Sequence, residues 1–517
     1  MGILYQYNPL LELDYPDPDV IRVGDTYYMV STTMHFMPGG EILRSYDLVH
    51  WEHVTFLYDE LERTSQQMLE KEQNAYGKGM WAASIRYHKG QFYVCFVAND
   101  TGKTYLFTAK DIEGEWKRRE IEGFYHDCSL LFDDDDKVYI AYGNKHIYIT
   151  QLKEDLSGPM TGGFHRMVVS DEGNPRLGYE GTHFYKINGK YYLFFIHSKR
   201  EEWRRVEACF MADTLDDEFI GKDIYDDDMG YCYQGIAQGG IVDTPDGTWY
   251  SIMFQDRGAV GRIPILVPVV WENDFPIFGE RGHLPKEFVI PKVEKDYIYT
   301  PLVDSDDFRE ERMESEKEQK RRYGSFGLKS CWQFNHIPDM SLITRDALAG
   351  MLSFRTDRVC QNLTQAKNTL TQRLRYPACM CDISVDVSKI KEGDYAGLCV
   401  LQGCYCMVAV TKRENQYILV MISKEAEDAI EQERETISVE NALVKLRIVA
   451  EFENMTDTAK LYYDSGDEWK QIGKKHKLQF GLDHFTGARI GLCYYATKEY
   501  GGCAQFSEFV YRKGKER

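Results

Sequence analysis

Five times in its first 260 residues the chain repeats one short pattern: a turn rich in Asp, Asn or Gly, an aromatic residue or Val, then Tyr, then an apolar run. The copies are VGDTYYMV (23–30), HKGQFYVCFV (88–97), DDDKVYIAY (134–142), INGKYYLFF (187–195) and PDGTWYSIMF (245–254). Asp, Asn and Gly tolerate the positive φ of a tight hairpin turn, and Tyr with β-branched residues favours the strand that follows. An apolar, strand-like stretch precedes each copy, so each marks one β-hairpin. The shared Tyr stands at 28, 93, 139, 192 and 250, at intervals of 65, 46, 53 and 58 residues. Periods of this size, each holding several short strands, signal radial repetition, and five hairpins predict a five-bladed β-propeller. The competing arrangement is a β-sandwich of unrelated hairpins. In the first two units an Asp-centred turn precedes a Trp, in SYDLVHW (45–51) and AKDIEGEW (109–116), as before the outer strand of a blade.

The pattern stops near residue 300. Asp304 to Arg322 is almost wholly charged, which reads as a solvated linker or exposed helix. From about Phe326 strands resume with plain alternation, as in ACMCDISVDVS (378–388), VKLRIVAEF (444–452) and TAKLYYDSG (458–466). The expected architecture is all-β: a propeller over 1–303, a charged linker over 304–325 and a β-sandwich over 326–517.

With 62 Lys and Arg against 82 Asp and Glu, the chain carries a net charge of −20 and would repel a phosphate backbone, so no nucleic-acid partner is expected. No apolar run is long enough to span a bilayer. Met1 to Asn8 lacks the basic and apolar regions of a signal peptide, and Gln6 stands where acylation after Gly2 wants Ser or Thr. Of the 13 Cys, an odd number, nine lie beyond residue 330, and no C-x-x-C pairs with zinc spacing occur. Reduced thiols serving as small hydrophobes in a cytoplasmic protein, with no membrane partner, are the expectation.

In a propeller, residues just before the innermost strand of each blade converge on one mouth. Three acids stand there: Asp17 in YPDPD, between two prolines that restrict the backbone; Asp127 in HDCSLLF; and Glu180 in YEGTHFY. Two carboxylates held apart with water between them can hydrolyse a glycosidic bond, one donating a proton to the leaving oxygen and the other activating water. A third carboxylate nearby would raise the acid's pKa. Spacing alone leaves simple turn-capping acids as the alternative.

The run NPLLELDYPDPDVIRVGDTYYMVSTT (8–33) closely resembles the opening of family 43 glycoside hydrolases, the inverting β-xylosidases and α-L-arabinofuranosidases. GMWAASIRYHKGQFYV (79–94), HDCSLLF, YEGTHFYKINGKYYLF (179–194), QGGIVDTPDGTWY (238–250) and GRIPILVPVVW (261–271) are similar to further family blocks in the same order. CWQFNHIPD (331–339), QNLTQAKNTLTQR (361–373) and DYAGLCVLQG (394–403) resemble the concanavalin A-like sandwich appended to many of these enzymes. The resemblance implies Asp17 as general base, Glu180 as general acid and Asp127 as the carboxylate that tunes that acid. It also implies that Trp81 and Phe36 wall the pocket, that Arg262 hydrogen-bonds the sugar, and that Phe485 reaches from the sandwich toward the propeller mouth. For Trp81, Phe36 and Arg262, core packing or a structural ion pair is the plainer alternative.

One position departs from the family. Relatives often carry a His before the fifth hairpin that coordinates a channel cation, and Gln238 stands there in this chain. Gln offers only a neutral carbonyl to Ca²⁺, so no cofactor is required and a structural Ca²⁺ remains open. The acidic run Asp133 to Asp136 falls on a hairpin turn and reads as solvated. The expected function is removal of terminal arabinose or xylose from xylo- or arabinoxylo-oligosaccharides. The alternatives are an inactive sugar-binding propeller or another propeller glycosidase of fructan type, though NDPNG-like and ECP-like motifs are absent. The sandwich faces leave a homo-oligomer open.

Overall fold

The computed structural model describes residues 8–289, 297–311, 313, 315–426 and 428–514, so Gly2 and Gln6 lie outside the described residues. The first half forms five four-stranded antiparallel sheets, each beginning with one of the expected hairpins. The innermost strands are Asp19–Val23, Met80–His88, Ser129–Phe132, Glu180–Ile187 and Ile236–Asp243, and each touches its neighbours around a closed ring. Blade five returns to blade one through the Gly240 N–H, which donates to the Pro18 carbonyl at 3.1 Å. The five repeated tyrosines all fall on the second strand of their blade, in Thr26–Val30, Gln91–Ala98, Val138–Asn144, Lys190–Ser198 and Trp249–Asp256. Trp51 and Trp116 stand just before the outer strands Glu52–Tyr58 and Lys117–Ile121. Their indoles close the preceding turns by donating to the carbonyls of Leu48 (3.1 Å) and Ile112 (3.2 Å).

A single guanidinium ties the blades together. Arg86, on the innermost strand of blade two, donates to Asp19 of blade one (2.6 Å), to Ser129 Oγ (2.7 Å) and Leu130 O (2.8 Å) of blade three, and to Phe184 O of blade four (3.3 Å). It also lies 5.0 Å from the ring centroid of Tyr185, whose hydroxyl accepts the N–H of Ile241 in blade five. Burial opposes the charge on Asp19, but Arg86 and His183 together hold that carboxyl below its usual range. A buried charge is tolerated only when paired in this way.

The second half packs an eight-stranded sheet on a seven-stranded one, the sandwich expected from the alternating strands. The eight-stranded sheet reaches into the propeller. Its edge strand is Phe36–Met37, an excursion of blade one, which pairs with Gln333–Asn335. The core is also continuous, because Ala259, Val260 and Ile263 of blade five belong to the same buried cluster as Trp332, Phe334 and Phe506. Phe36 therefore does not wall the pocket. It is buried at this junction, with the Arg489 guanidinium 4.0 Å from its ring centroid.

The charged run contains an exposed helix, one of the two forms read from the sequence, together with contacts that a free linker would lack. Asp306 pairs with Phe509 in a β-bridge and accepts the Trp332 indole N–H at 2.9 Å. A helix, Glu316–Arg322, begins at a Ser315 cap, and Arg322 ends it against Glu311 and Asp304. Lys317 and Arg321 reach Asp111 and Glu113 of blade two. The run is thus tied both to itself and to blade two. All 13 cysteines are free thiols, ten of them buried, with Cys95 and Cys128 facing each other at 3.5 Å. No helix among the described residues is long and apolar enough to cross a membrane.

Candidate active site

At the propeller mouth the chain departs from regular β geometry in all five blades. Asp17, Asp127 and Gln238 have φ of 52°, 46° and 55°, and Gly181, next to Glu180, has φ of 65°. The innermost hairpins of blades two, four and five also carry register shifts, at Met80/Ala83, Glu180/His183 and Ala237/Gly239. Bulges and left-handed residues re-aim side chains, and non-glycine residues hold such angles only where surrounding contacts enforce them. A Cβ at Gly181 would lie 2.4 Å from the Gln238 side chain, so this approach requires glycine.

These residues line one cavity of about 590 Å³. Asp17, Asp127, Glu180, Trp81, Arg262 and Gln238 face it from the propeller, and Phe480, Leu482 and Phe485 close it from the sandwich. Of the residues expected from sequence, Phe36 alone is absent from the lining.

Asp17 is buried, and burial pushes its carboxyl up. The Arg262 guanidinium, 2.9 Å from Oδ1, and the Thr32 hydroxyl, donating to Oδ2 at 2.6 Å, act against that rise without cancelling it. Arg262 is therefore an ion-pair partner of Asp17. Its second nitrogen donates to the Phe485 carbonyl at 3.2 Å, and its carbon stands 4.5 Å from that ring's centroid. Asp127 is also raised, first by burial and then by the neighbouring Glu180 charge, while its Oδ2 accepts the Gly181 N–H at 3.1 Å. Glu180 keeps some solvent access and accepts from the Asn144 amide at 2.6 Å.

Sequence reasoning missed several neighbours. The His126 ring stands edge-on to Trp81, with centroids 5.5 Å apart, and its Nε2 lies 3.6 Å from Asp127 and 4.0 Å from Glu180. Burial disfavours its charge, yet the two carboxylates lift the imidazole to about 9. Its place beside Asp127 in HDCSLLF was the available signal. Arg205 forms an ion pair with Asp256 and stacks near Trp203, a half-exposed ring on the rim. No local pattern marked these. Beneath Gln238, the fully buried Glu207 accepts the Gln238 N–H at 2.7 Å, its other oxygen has no partner among the described residues, and burial pushes its carboxyl up to about 8.

Two oxygen-rich places in the propeller are already engaged by basic side chains. On the axis, the oxygens of Asp19, Ser129, Leu130 and Phe184 already accept from Arg86. On the acidic turn, Asp133 and Asp134 pair with Lys186, Asp135 with Lys137 and Asp136 with Lys89. Ca²⁺ needs six to eight oxygens free to turn toward it.

Residues 6–276 match the model of glycosyl hydrolases family 43, and residues 323–512 match a beta xylosidase C-terminal concanavalin A-like domain. The fold is similar to that of a bifunctional GH43-CE chain of Bacteroides eggerthii, with a TM-score of 0.91 and 39% identity, covering 100% of this chain; this chain spans 64% of the length of that one. A beta-xylosidase of Formosa agariphila is 24% identical over 98% of this chain and 90% of its own. A non-reducing end alpha-L-arabinofuranosidase of Bacteroides ovatus is 26% identical over 59% of each chain. With a five-bladed propeller, a matching sandwich and a family match over more than half its length, the chain belongs to glycosyl hydrolases family 43.

Proposed function

We propose that the protein is an inverting exo-glycosidase that removes terminal α-L-arabinofuranosyl or β-D-xylosyl residues, or both, from hemicellulose-derived oligosaccharides. The observation that carries this reading is that Asp17 and Glu180, on separate blades, line one cavity together with Phe480, Leu482 and Phe485 of the sandwich. Asp17, its carboxylate kept available by Arg262 and Thr32 while burial strengthens it as a base, takes a proton from the attacking water. Glu180, steered by Asn144, gives its proton to the leaving oxygen. Asp127 accepts the Gly181 N–H at 3.1 Å, which braces the turn that carries Glu180, and its charge stands beside that acid. In an inverting enzyme the two main carboxyl groups leave room for that water on the face opposite the leaving group.

The test is kcat/KM on 4-nitrophenyl α-L-arabinofuranoside and β-D-xylopyranoside, with proton NMR of the first anomer released. Turnover with inversion, lost in Asp17→Asn and in Glu180→Gln, is the expected result, and the ratio of the two substrates names the preference. Retained turnover in Glu180→Gln, or release of the same anomer as the substrate, would overturn the reading.

A further inference from the structure

Among the titratable groups that line the cavity and that the mechanism above does not use, His126 stands nearest the acid. His126 lies between Asp127, the next residue on its own turn, and Glu180 of blade four, with Nε2 at 3.6 and 4.0 Å from their carboxylate oxygens. That nitrogen is buried and has no hydrogen-bond partner among the described residues. The other charged groups of the cavity are occupied: Arg262 pairs with Asp17, and Arg205 pairs with Asp256. Trp81 covers the imidazole edge-on from blade two, and Asn144 contacts Glu180 without bringing charge. Two carboxylates in a shielded pocket repel each other unless a cation separates them, and His126 is the cation placed to do so.

We propose that His126 is a positioning residue for the acid, an imidazolium set between Asp127 and Glu180 that lets both carboxyl groups share the pocket and fixes the pH at which the acid loses its proton. This rests on Glu180 being the general acid. The imidazolium attracts the Glu180 carboxylate, whereas the Asp127 carboxylate repels it. The two effects bracket the acid, and the alkaline limb of activity reports their balance. Asp17 is ion-paired to Arg262, so the acidic limb belongs to a separate group.

The experiment is the pH profile of kcat/KM for the full chain and for His126→Gln, which removes the cation and keeps a donor. An opposite charge within about 4–6 Å moves a carboxyl by one to three units, so the alkaline limb should rise by about one unit or more while the acidic limb stays in place. An unmoved alkaline limb would overturn the proposal, as would an equal shift of both limbs. Nitrogen-15 NMR of the histidines supplies a second measurement on the unmutated chain, one that does not depend on how the variant folds. One imidazole should remain cationic above pH 7 and lose that character at lower pH in Glu180→Gln. A spectrum with no such imidazole would also overturn the proposal. If Glu180→Gln keeps its turnover, the assignment of the acid fails by itself, and the imidazole titration still reports whether His126 is charged.

Discussion

Glu207 offers the sharpest test of how burial works in this propeller. Its carboxyl lies on the third strand of blade four, wholly buried, with one oxygen accepting the Gln238 N–H and no cation among the described residues to hold its charge. Burial lifts it from 4.5 to about 8. A carboxyl raised in the folded state favours folding fully below the unfolded value, and that stability drains away as pH rises through the folded value. At 1.36 kcal/mol per unit, the loss is about 1 kcal/mol at pH 5, about 3 at pH 7 and about 5 above pH 8. Glu207→Gln is neutral throughout and keeps an oxygen for the Gln238 N–H. Any cost of burying its amide is the same at every pH. The gap in unfolding free energy between variant and wild type should therefore move in the variant's favour by about 4 kcal/mol between pH 5 and pH 8.5. Urea unfolding at the two pH values reads it directly, and the melting temperature should follow by on the order of 5 °C. A gap that stays constant with pH would refute the reasoning, because it would mean that Glu207 titrates alike in the folded and unfolded chains. A gap that moves toward wild type would mean that a cation holds the carboxylate in its charged form.

Three further outcomes follow from contacts already described. Phe485→Ala removes the ring beside Arg262 but not the backbone carbonyl it donates to; losing a desolvated cation–π contact of about 1–2 kcal/mol predicts a fall of roughly five- to thirtyfold in kcat/KM, measured on the aryl glycosides. Arg86→Met breaks the buried ion pair with Asp19 and leaves His183 as its remaining partner, which predicts about 3–5 kcal/mol of destabilisation by urea unfolding, whereas EDTA should change neither the melting temperature nor the rate. Glu41, buried against Arg373 of the sandwich at 2.8 Å, is lowered to about 2: burial opposes its charge, but Arg373 and His53 outweigh it. Its contribution is present above pH 4.5 and lost as pH falls toward 2, so Glu41→Gln should cost about 3 kcal/mol at pH 7 and nothing near pH 2, again by unfolding.

The sequence by itself determined what is local. A turn followed by a Tyr-led apolar run specifies a hairpin wherever it occurs, so five copies at blade-length intervals announced five blades, and each repeated Tyr lies on the expected strand. Asp17, Asp127 and Glu180 were legible for the same reason, since each directly precedes an innermost strand or opens it. What joins distant parts of the chain was not legible. Phe36 sits in a short motif that does not reveal which strand will pair with it, and its partner lies about three hundred residues away at Asn335. The charged run looked solvated because charge alternation carries no address, yet Lys317 and Arg321 meet acids of blade two some two hundred residues earlier. Arg86 resembles any strand arginine until three other blades supply its acceptors. His126 becomes part of the acid's surroundings only when blade four brings Glu180 to it. Strand and turn preferences act over a few residues, whereas burial, charge pairing and pKa depend on which surfaces ring closure and the sandwich bring together.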